Sequence, residues 1–365
     1  MDRIEKQIIS YKEVRQGIDL GQDPEGIGAY ALREKRLKTL LNNPNLDDDN
    51  SPMIAFTRVD GCIWGRCMYF PTRIKISNSI EKSLGGSSLM VNEKGRKESL
   101  GVDLMMLPMH SFDAKYLLYA SVSEMALPLY KKLKFEVFEL PRRWQLRNSK
   151  PILQRIGFKG LLLSVSTFLS NLIIVPFNYC VKRILKFSVR EYEIKQLEEV
   201  PDWVIKQVEN DNHKYAEYHD KKWFEWVLNN CFRTGENNIQ KLYGIYKENK
   251  PVGFLLIKER QCMMKESNID SVTFGSVVEW GTDDNGQLDE YTINKIALLL
   301  YSKKVDIAQV ISSDYKMVDQ FRKFAIFRHG SSNVVFKDLT KELEKDYKDP
   351  NNWRLRFGYS DAPFN

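Results

Sequence analysis

The stretch from 88 to 106, SLMVNEKGRKESLGVDLMM, has residue types that suit a phosphate-binding loop. An apolar strand runs into a polar loop, and a helix begins there. Amide groups at a helix N-terminus and the helix dipole attract anions. Arg96 and Lys97 add positive charge, and the small residues Ser99 and Gly101 let a ligand approach the backbone. The loop therefore predicts a pyrophosphate site, while the competing interpretation is an ordinary turn with solvated charges.

The order of elements around this loop resembles the cofactor-binding core of the GCN5-related N-acetyltransferase family. The family's loop reads Arg/Gln-x-x-Gly-x-Gly/Ala, and this sequence has Arg96-x-x-Ser99-x-Gly101. The family's later helix contains Ala-x-x-x-Tyr and is followed by Gly-Phe. Here Ala126-x-x-x-Tyr130 is followed by Lys134-Phe135, and the resemblance covers roughly residues 20–142.

The resemblance implies an acyl-CoA-dependent N-acyltransferase, with acetyl-CoA as the acyl donor and a small-molecule or carbohydrate amine as the acceptor. It places Met90 and Val91 along the pantetheine arm and Tyr130 near the sulfur, where a phenol can protonate the leaving thiolate. Tyr130 as a core tyrosine is the alternative. The implied cofactor-binding residues of the loop are Arg96, Lys97, Glu98, Ser99, Leu100 and Gly101.

A general base is not identified by this pattern. The first half offers several carboxylates, and most carboxylates in a protein are simply solvated. They are Asp60, Glu98, Asp103 and Glu124.

The elements that must position these residues occur twice along the chain. The first 50 residues indicate mostly helix, and MIAFTRV meets CIWGRCMYF across Asp60-Gly61, a hairpin turn. Both halves then follow the order strand–turn–strand–strand–helix–strand–helix–strand, with Pro128 interrupting one helix of the first half. We predict an α+β fold of two tandem acyltransferase-like domains, each a mixed sheet flanked by helices. Their bounds are 1–150 for the first domain, 151–186 for an apolar helical linker, and 187–365 for the second domain.

The second half resembles the first by element order alone and is predicted to be a degenerate copy. Its loop carries Asp283 and Asp284, which would repel a pyrophosphate. Phe321 and Phe324 stand where the tyrosine is sought, and phenylalanine cannot protonate a thiolate. We therefore expect one thioester per chain. Substrate-binding residues Glu279 and Trp280 are predicted to face the acceptor.

The segment 160–181, GLLLSVSTFLSNLIIVPFNYCV, contains no charged residue and is flanked by basic residues on both sides. It is long enough to span a bilayer. Ser164, Thr167, Asn171 and Asn178 would form one polar stripe on a helix. Three interpretations stay open, which are a buried inter-domain helix, an interfacial membrane helix and a true span. Peripheral membrane contact through 155–186 is part of the prediction.

Composition excludes several other classes of protein. The net charge of +7 is mild, so nucleic acid is an unlikely partner. Five cysteines without a CxxC spacing and only four histidines argue against a disulfide scaffold and a metal centre. No apolar signal region follows the charged first residues, so we expect a cytoplasmic protein. The aromatic cluster of Trp223, Phe224 and Trp226 is expected to be core.

Two further hypotheses come from other functional classes. One is a catalytically silent protein that binds a ligand or partner in the cleft of an acyltransferase-like fold. The other is aminoacyl transfer from charged tRNA.

Overall fold

The computed structural model describes residues 3–111, 114–231, 238–264, 268–283, 286, 288–324, 327–360 and 362–364. The strands are β1 Ile4–Ser10, β2 Pro52–Val59, β3 Cys62–Ile76, β4 Ser79–Val91, β5 Tyr116–Val122, β6 Glu136–Leu146, β7 Glu193–Gln196, β8 Tyr215–Glu217, β9 Ile239–Lys247, β10 Lys250–Met264, β11 Ile269–Thr282, β12 Ile307–Ile311, β13 Phe327–Asp338 and β14 Trp353–Arg354. The helices are α1 Tyr11–Gln16, α2 Ile27–Ala31, α3 Glu34–Leu41, α4 Glu93–Lys97, α5 Leu100–Ser111, α6 Leu127–Lys132, α7 Lys150–Arg155, α8 Gly160–Ser188, α9 Asp202–Glu209, α10 Lys221–Asn229, α11 Glu290–Leu300 and α12 Tyr315–Phe321.

One mixed sheet runs through the whole molecule. Its strand order is β1-β2-β3-β4-β5-β13-β6-β12-β11-β10-β9-β7, with β8 and β14 attached beside β3. Along this path the pairings are antiparallel except for β4 with β5 and β11 with β12. These two parallel pairs occupy the same place in each half, which confirms the predicted α+β fold with a repeated order of elements.

One strand of each half is exchanged with the other half. β13, from the second half, lies between β5 and β6 and pairs with both. β6, from the first half, pairs on its other side with β12 of the second half. The predicted division at residues 150 and 187 therefore describes the order of the chain, whereas the sheet joins both halves through these two strands.

Helix α8 forms the predicted apolar linker, but it lies on the outside of the molecule. Of its residues, only Leu185 is buried. It is the one helix in the described ranges that is long and apolar enough to cross a membrane. The alternative of a buried inter-domain helix is therefore wrong, because the apolar side chains face outward.

The first 50 residues differ most from expectation. β1 is a strand paired with β2 over its full length, although this region was expected to be mostly helical. Pro128 does not interrupt a helix, since α6 begins at Leu127 and proline is tolerated in the first helical turn. The hairpin at Asp60-Gly61 is confirmed, with φ of 48° and 80° at the two turn residues.

The C-terminal segment completes the core instead of trailing over the surface. Trp353, Leu355, Tyr359 and Phe364 are fully buried. Buried Lys258 donates from Nζ to the carbonyl oxygens of Ala362 (3.1 Å) and Pro363 (2.6 Å). The predicted aromatic core at Trp223, Phe224 and Trp226 is confirmed, and Phe364 packs on Trp226 at 4.3 Å between ring centroids.

Candidate active site

A cleft opens in the first half where β4 and β5 diverge. Their parallel pairing covers only 83–85 and 116–118. Beyond it β4 stays with β3, while β5 continues along β13. The gap holds a cavity of about 280 Å³ between 86–89 on one wall and 119–123 on the other. Such a gap leaves strand edges and backbone groups accessible to an extended ligand.

Two tyrosines close the inner end of this cleft. The Tyr119 ring lies against Gly86, where an added Cβ would come within 2.4 Å of it. Tyr130 on α6 is buried and meets Tyr119 edge-on at 5.8 Å between ring centroids. Burial raises the pKa of Tyr119 well above its usual value, so the phenol stays protonated. The Tyr119 ring borders the cleft, and its buried hydroxyl has no hydrogen-bond partner in the part of the chain that the structure describes.

The predicted phosphate loop lies at the mouth of the cleft and contains a short helix. Asn92 caps α4 by accepting a hydrogen bond from the Gly95 amide at 2.7 Å. The chain then turns at Ser99, and α5 begins at Leu100. The first amides of an α-helix have no intrahelical acceptor, so the start of α5 presents N–H groups next to Ser99 and Gly101. This arrangement can bind an anion.

The loop residues predicted to bind the cofactor do not all face the same way. Arg96, Lys97, Glu98 and Ser99 are exposed, whereas Leu100 is fully buried and anchors α5 in the core. Arg96 extends toward the turn before α6, with Nη1 3.7 Å from the sulfur of Met125. Lys97 pairs with Glu93 at 3.4 Å. Of these two loop cations, Arg96 is therefore the one that extends toward α6 and the cleft.

Met90 and Val91, the predicted pantetheine contacts, lie at the outer end of β4. Met90 is 45% exposed and pairs with Arg66 of β3, while Val91 pairs with Gly65. Gly85 is the last residue of β4 that pairs with β5. The backbone edge of β4 after Gly85 is therefore not paired with β5. That edge can hydrogen-bond an extended ligand.

Two positions that depart from the family pattern keep the backbone conformation of glycine. Ser99 replaces the middle glycine of the loop and has φ of 59°. Lys134 replaces the glycine of Gly-Phe and also has φ of 59°. Positive φ is the region that glycine adopts at low cost. The local geometry of the resemblance therefore survives although the glycines do not.

The corresponding cleft of the second half is occupied by the chain itself. β11 and β12 pair only over 274–276 and 307–309, and the C-terminal segment enters the gap beyond. The Ser313 amide donates to the Leu355 carbonyl at 2.7 Å, and the Gly358 amide donates to the Val278 carbonyl at 3.0 Å. In the first half, the Ser360 hydroxyl of the same segment donates to the Gly86 carbonyl at 3.4 Å. The edge of β4 beyond Gly86 stays open toward β5, whereas the corresponding edge of β11 is hydrogen-bonded to the C-terminal segment. Of the two predicted acids of this loop, Asp283 is half-buried and Asp284 lies outside the described residues.

Glu279 is fully buried, which corrects its prediction as an acceptor contact. Its carboxylate accepts hydrogen bonds from Arg356 and from Nδ1 of His219, the latter at 2.8 Å. Burial lowers the pKa of His219 to about 4, so the ring is neutral at pH 7 and donates Nδ1–H. Burial raises the pKa of Glu279, but Arg356, Arg354 and the hydrogen bond from His219 together outweigh burial and keep that pKa well below its usual value. Glu279 therefore fixes the C-terminal segment in the second cleft.

Trp280 is also buried, which corrects its prediction as an acceptor contact. The guanidinium of Arg356 stacks over the indole at 3.7 Å. Trp280 borders a polar cavity on the second half, whose lining residues include neither wall of the first cleft. Phe321 is buried in the second-half core, and Phe324 is half-buried in the turn after α12.

A larger groove adjoins the first cleft. It has a volume of about 570 Å³ and shares the segment 121–123 with the cleft. The exchanged strands β6 and β13 form it together with β11 and β12 of the second half, and α7 lies at its side. Glu124 is the single carboxylate among the described residues that line it, while Arg142, Arg155 and Arg260 are cationic. A second substrate can approach the cleft through this groove.

The sequence did not indicate Tyr119 or the groove arginines as site residues. Tyr119 belongs to an apolar strand, YLLYASV, in which a tyrosine is an ordinary core residue. Arg142 and Arg260 are far apart in sequence and meet only because β6 is exchanged into the second half. Within the described ranges, no group of three or more His, Cys, Asp or Glu residues is placed to hold a metal ion.

The order of the strands, the two diverging parallel pairs and the helix after each of them define a class of fold, the GCN5-related N-acetyltransferase fold in tandem. Solved structures with this fold cover most of the chain. N-myristoyltransferase from Saccharomyces cerevisiae with bound myristoyl-CoA aligns with a TM-score of 0.55 at 13% identity, over 91% of this chain and 82% of that one. A GCN5-related N-acetyltransferase from Anabaena variabilis aligns with a TM-score of 0.53 at 9% identity, over 93% and 73%.

A protein from Enterococcus faecalis described as a probable N-acyltransferase aligns with a TM-score of 0.53 at 12% identity, over 93% of this chain and 73% of that one. No protein-family model matches the sequence, and no curated protein sequence matches it. At these identities the likeness confirms the predicted fold.

Proposed function

We propose that this protein is an acyl-CoA-dependent N-acyltransferase with one active site, in the cleft of the first half. The observation that carries the proposal is the contrast between the two clefts. The first is open, has a cationic loop at its mouth and holds a buried phenol without a described partner. The second is closed by hydrogen bonds to the C-terminal segment.

The acyl donor would lie along the free edge of β4, with its pyrophosphate at the start of α5. Arg96 would attract the pyrophosphate, and the thioester would lie near Tyr119 and Tyr130 at the inner end. Acetyl-CoA is the first donor to test. Longer thioesters belong in the same test, because a structural neighbour holds myristoyl-CoA.

The acceptor amine would enter through the adjoining groove and attack the thioester carbonyl carbon. A carbon–nitrogen bond forms, the carbon–sulfur bond breaks, and the electron pair of that bond leaves on sulfur. Tyr130 donates its proton to the thiolate. Glu124 is the carboxylate available in the described groove lining to take the proton of the amine, which then returns to the phenolate through solvent. The reaction therefore needs no further reactant.

Titration calorimetry with CoA thioesters of increasing acyl length tests the donor site. We expect saturable binding of one thioester per chain. Arg96→Glu should weaken it by about tenfold or more, because a charge beside the pyrophosphate is reversed. Arg322→Glu changes an exposed arginine outside both clefts and should bind like the wild type. No heat at millimolar thioester, or a stoichiometry of two, would contradict the proposal.

Turnover is then measured as release of free thiol with a panel of amines. Release that depends on the amine supports transfer. Thioester binding without transfer to any amine would instead favour the silent binding protein, and transfer from charged tRNA would favour the third hypothesis. We also propose that the protein is located in the cytoplasm, where acyl-CoA is available. Within the cytoplasm, we propose that it lies at a membrane surface.

A further inference from the structure

The groove beside the cleft carries positive charge that no described carboxylate neutralises. Arg142 on β6 is half-buried and donates from Nε and Nη2 to Oε1 of Gln309, at 3.0 and 2.5 Å. Gln309 is neutral, and its own amide nitrogen donates to Ser276. Arg260 on β10 donates from Nε to the sulfur of Cys262 at 2.7 Å. Neither guanidinium lies within 4.0 Å of a carboxylate in the described part of the chain.

These two cations act on each other. Burial, followed by repulsion from Arg260, lowers the pKa of Arg142 to about 10, so Arg142 stays charged at neutral pH. Two guanidinium groups that line one cavity without an anion are electrostatically unfavourable, and an anion between them removes this cost. Arg155 from α7 adds a third cation to the lining.

The rest of the lining is mostly apolar and continuous with the first cleft. Trp144, Ile152 and Phe274 belong to one apolar cluster that forms the wall. The groove meets the cleft at 121–123, where Glu124 follows. One end of the groove therefore suits an ammonium group next to the thioester, and the other suits an anion.

We propose that this groove binds the acceptor, and that the acceptor is an amine that also carries a phosphate or carboxylate group. The inference rests on the proposed function and specifies the class of its second substrate. The anion would bind between Arg142 and Arg260, and the amine would point toward Glu124 and the cleft.

The test uses probes that differ in the anion. O-Phosphoethanolamine and ethanolamine share the amine, and inorganic phosphate supplies the anion alone. In calorimetry with the wild type, we expect binding of O-phosphoethanolamine and of phosphate but not of ethanolamine. Arg260→Gln should weaken phosphate binding by about tenfold, because a charge-assisted hydrogen bond is lost. Arg322→Gln is the matched control and should not change it.

Thioester binding is measured on the same variants, which separates the two proposals. Equal binding of O-phosphoethanolamine and ethanolamine would overturn the acceptor assignment, and so would an unchanged phosphate affinity in both Arg260→Gln and Arg142→Gln. Intact thioester binding in the same variants would leave the donor site standing. Loss of thioester binding in the wild type would overturn the proposed function itself. Circular dichroism of each variant shows whether it is folded.

A separate observation concerns α8, in which polar residues face the body of the protein and most large apolar side chains face outward. A surface helix of a soluble protein normally turns its apolar face to the core and its polar face to water. Here the seam toward the body is made of residues spaced alternately four and three apart, Thr167, Asn171, Ile174, Asn178, Val181 and Leu185. Of the polar stripe expected from the sequence, Thr167, Asn171 and Asn178 are therefore half-buried against the body, whereas Ser164 is exposed.

Specific hydrogen bonds fix this orientation. Asn171 accepts from the amide and hydroxyl of Ser149, both at 3.0 Å, and donates to Asn148 at 3.1 Å. Asn178 donates to the Leu146 carbonyl at 3.0 Å. Val181 and Leu185 pack into the core of the second half. The helix is therefore held along the body over most of its length and touches both halves.

The outward face of α8 is mostly apolar from Leu161 to Phe177, and Ile184 and Phe187 continue it among exposed basic residues in the last turns. Its large side chains are 44–81% exposed, and they are Leu161, Leu162, Val165, Phe168, Leu169, Leu172, Ile173, Val175, Phe177, Ile184 and Phe187. The 29 residues extend about 43 Å at 1.5 Å per residue. This is a larger continuous apolar surface than a soluble monomer usually exposes.

Cations stand at both ends of this face. Arg155 and Lys159 precede the helix, and Lys182 near its end is surrounded by Arg147, Lys186 and Lys303. Anionic headgroups attract such clusters, each cation contributing about 1 kcal/mol near the surface. The combination of an apolar face with basic ends is that of a helix lying in the plane of a membrane interface.

We infer that the outward face of α8 docks in the interface of an anionic membrane, with the helix parallel to the bilayer and the body outside it. Flotation with phosphatidylglycerol vesicles tests this, and phosphatidylcholine vesicles show the contribution of charge. We expect the protein to float with the anionic vesicles and about tenfold less in Leu169→Glu/Ile173→Glu, because two charges enter the apolar face. Ile80→Glu changes an exposed apolar residue on the β3–β4 hairpin and should float like the wild type.

Sedimentation velocity without vesicles tests the alternative, in which a second copy of the chain covers the outward face of α8. A dimer that the Leu169→Glu/Ile173→Glu variant abolishes, together with no flotation, would show that a second copy covers this face and would overturn the membrane assignment. Flotation unchanged by the double substitution would also overturn it.

Discussion

At the scale of single residues, substitution of Tyr130 gives the most direct test of the proposed chemistry. It lies on the wall of the open cleft, against Tyr119 and Phe135. Tyr130→Phe keeps the ring and removes the proton donor. We expect kcat to fall by about 10²–10⁴-fold, the usual range for a general acid, with thioester affinity almost unchanged. Tyr315→Phe, at an exposed tyrosine on α12, is the control, and full turnover of Tyr130→Phe would assign the acid elsewhere.

The lowered pKa of His219 predicts how the free energy of unfolding depends on pH. Its pKa is lowered to about 4 in the folded protein, mainly by burial, from about 6.5 in the unfolded chain. As pH falls below about 6.5, the unfolded chain binds a proton that the folded protein binds only near pH 4. Stability is therefore full above pH 6.5 and decreases between pH 6.5 and 4, by up to about 3 kcal/mol.

Urea unfolding at a series of pH values measures this loss. The pKa of Glu279 is also lowered, so its contribution decreases at lower pH, below about 4.5, where the unfolded carboxylate becomes protonated. His219→Asn should flatten the pH dependence between 6.5 and 4. A variant with the wild-type slope would show that another group titrates in this range.

At the scale of elements, the turns at Ser99 and Lys134 give a stability prediction. Both residues have φ of 59°, which costs a residue with a Cβ about 1–2 kcal/mol relative to its favoured conformation. Glycine adopts this φ freely but makes the unfolded chain more flexible. Ser99→Gly and Lys134→Gly should each raise the free energy of unfolding by roughly 0.5–1 kcal/mol.

Chemical denaturation measures both glycine variants. Ser99→Ala keeps a Cβ at the same φ and is the matched control, so it should not stabilise. Destabilisation by Ser99→Gly would mean that its side chain makes a contact that outweighs the strain.

Local patterns in the sequence predicted the elements that depend on neighbouring residues. The Asp60-Gly61 hairpin, the start of α5 and the repeated strand–helix order are of this kind, because turn residues and apolar spacing act over a few positions. β1 was missed because IEKQIIS alternates weakly and is stabilised by its pairing with β2, about fifty residues further along.

The site was predictable only in part for the same reason. The residue types of the loop from Arg96 to Gly101 indicated a phosphate site, and the family resemblance implied the role of Tyr130; both roles stay predictions. Glu279 could not be recognised as a partner of Arg356, since a contact between residues this far apart in sequence has no local pattern. The groove depends on the exchange of β6 and β13, which element order alone does not show.

At the scale of the whole molecule, the strand exchange predicts one cooperative unit. In a fragment of residues 1–150, β5 and β6 would lack β13, which pairs with both of them. Two unpaired edges in the middle of a sheet are unstable and prone to aggregate. We expect this fragment to be unfolded or insoluble, and the full chain to unfold in a single transition.

Circular dichroism and solubility of the fragment, with calorimetric unfolding of the full chain, check this expectation. A fragment that also contains 327–338 on a flexible linker is the matched control and should be more soluble, because the missing strand is supplied. A soluble, cooperatively folded 1–150 fragment would show that the first half folds without its partner strand.

The strand exchange also affects how the protein forms during synthesis. β6 ends at Leu146, but the strand that separates it from β5 begins only at Phe327. At about 5–20 residues per second, a ribosome needs about 10–40 s to add the roughly 180 residues between them. Throughout that interval the growing chain carries the sheet of its first half without the strand that lies between β5 and β6. Such a nascent chain exposes the unpaired, aggregation-prone edges of β5 and β6. We therefore expect ribosome-bound chaperones to bind it until β13 emerges.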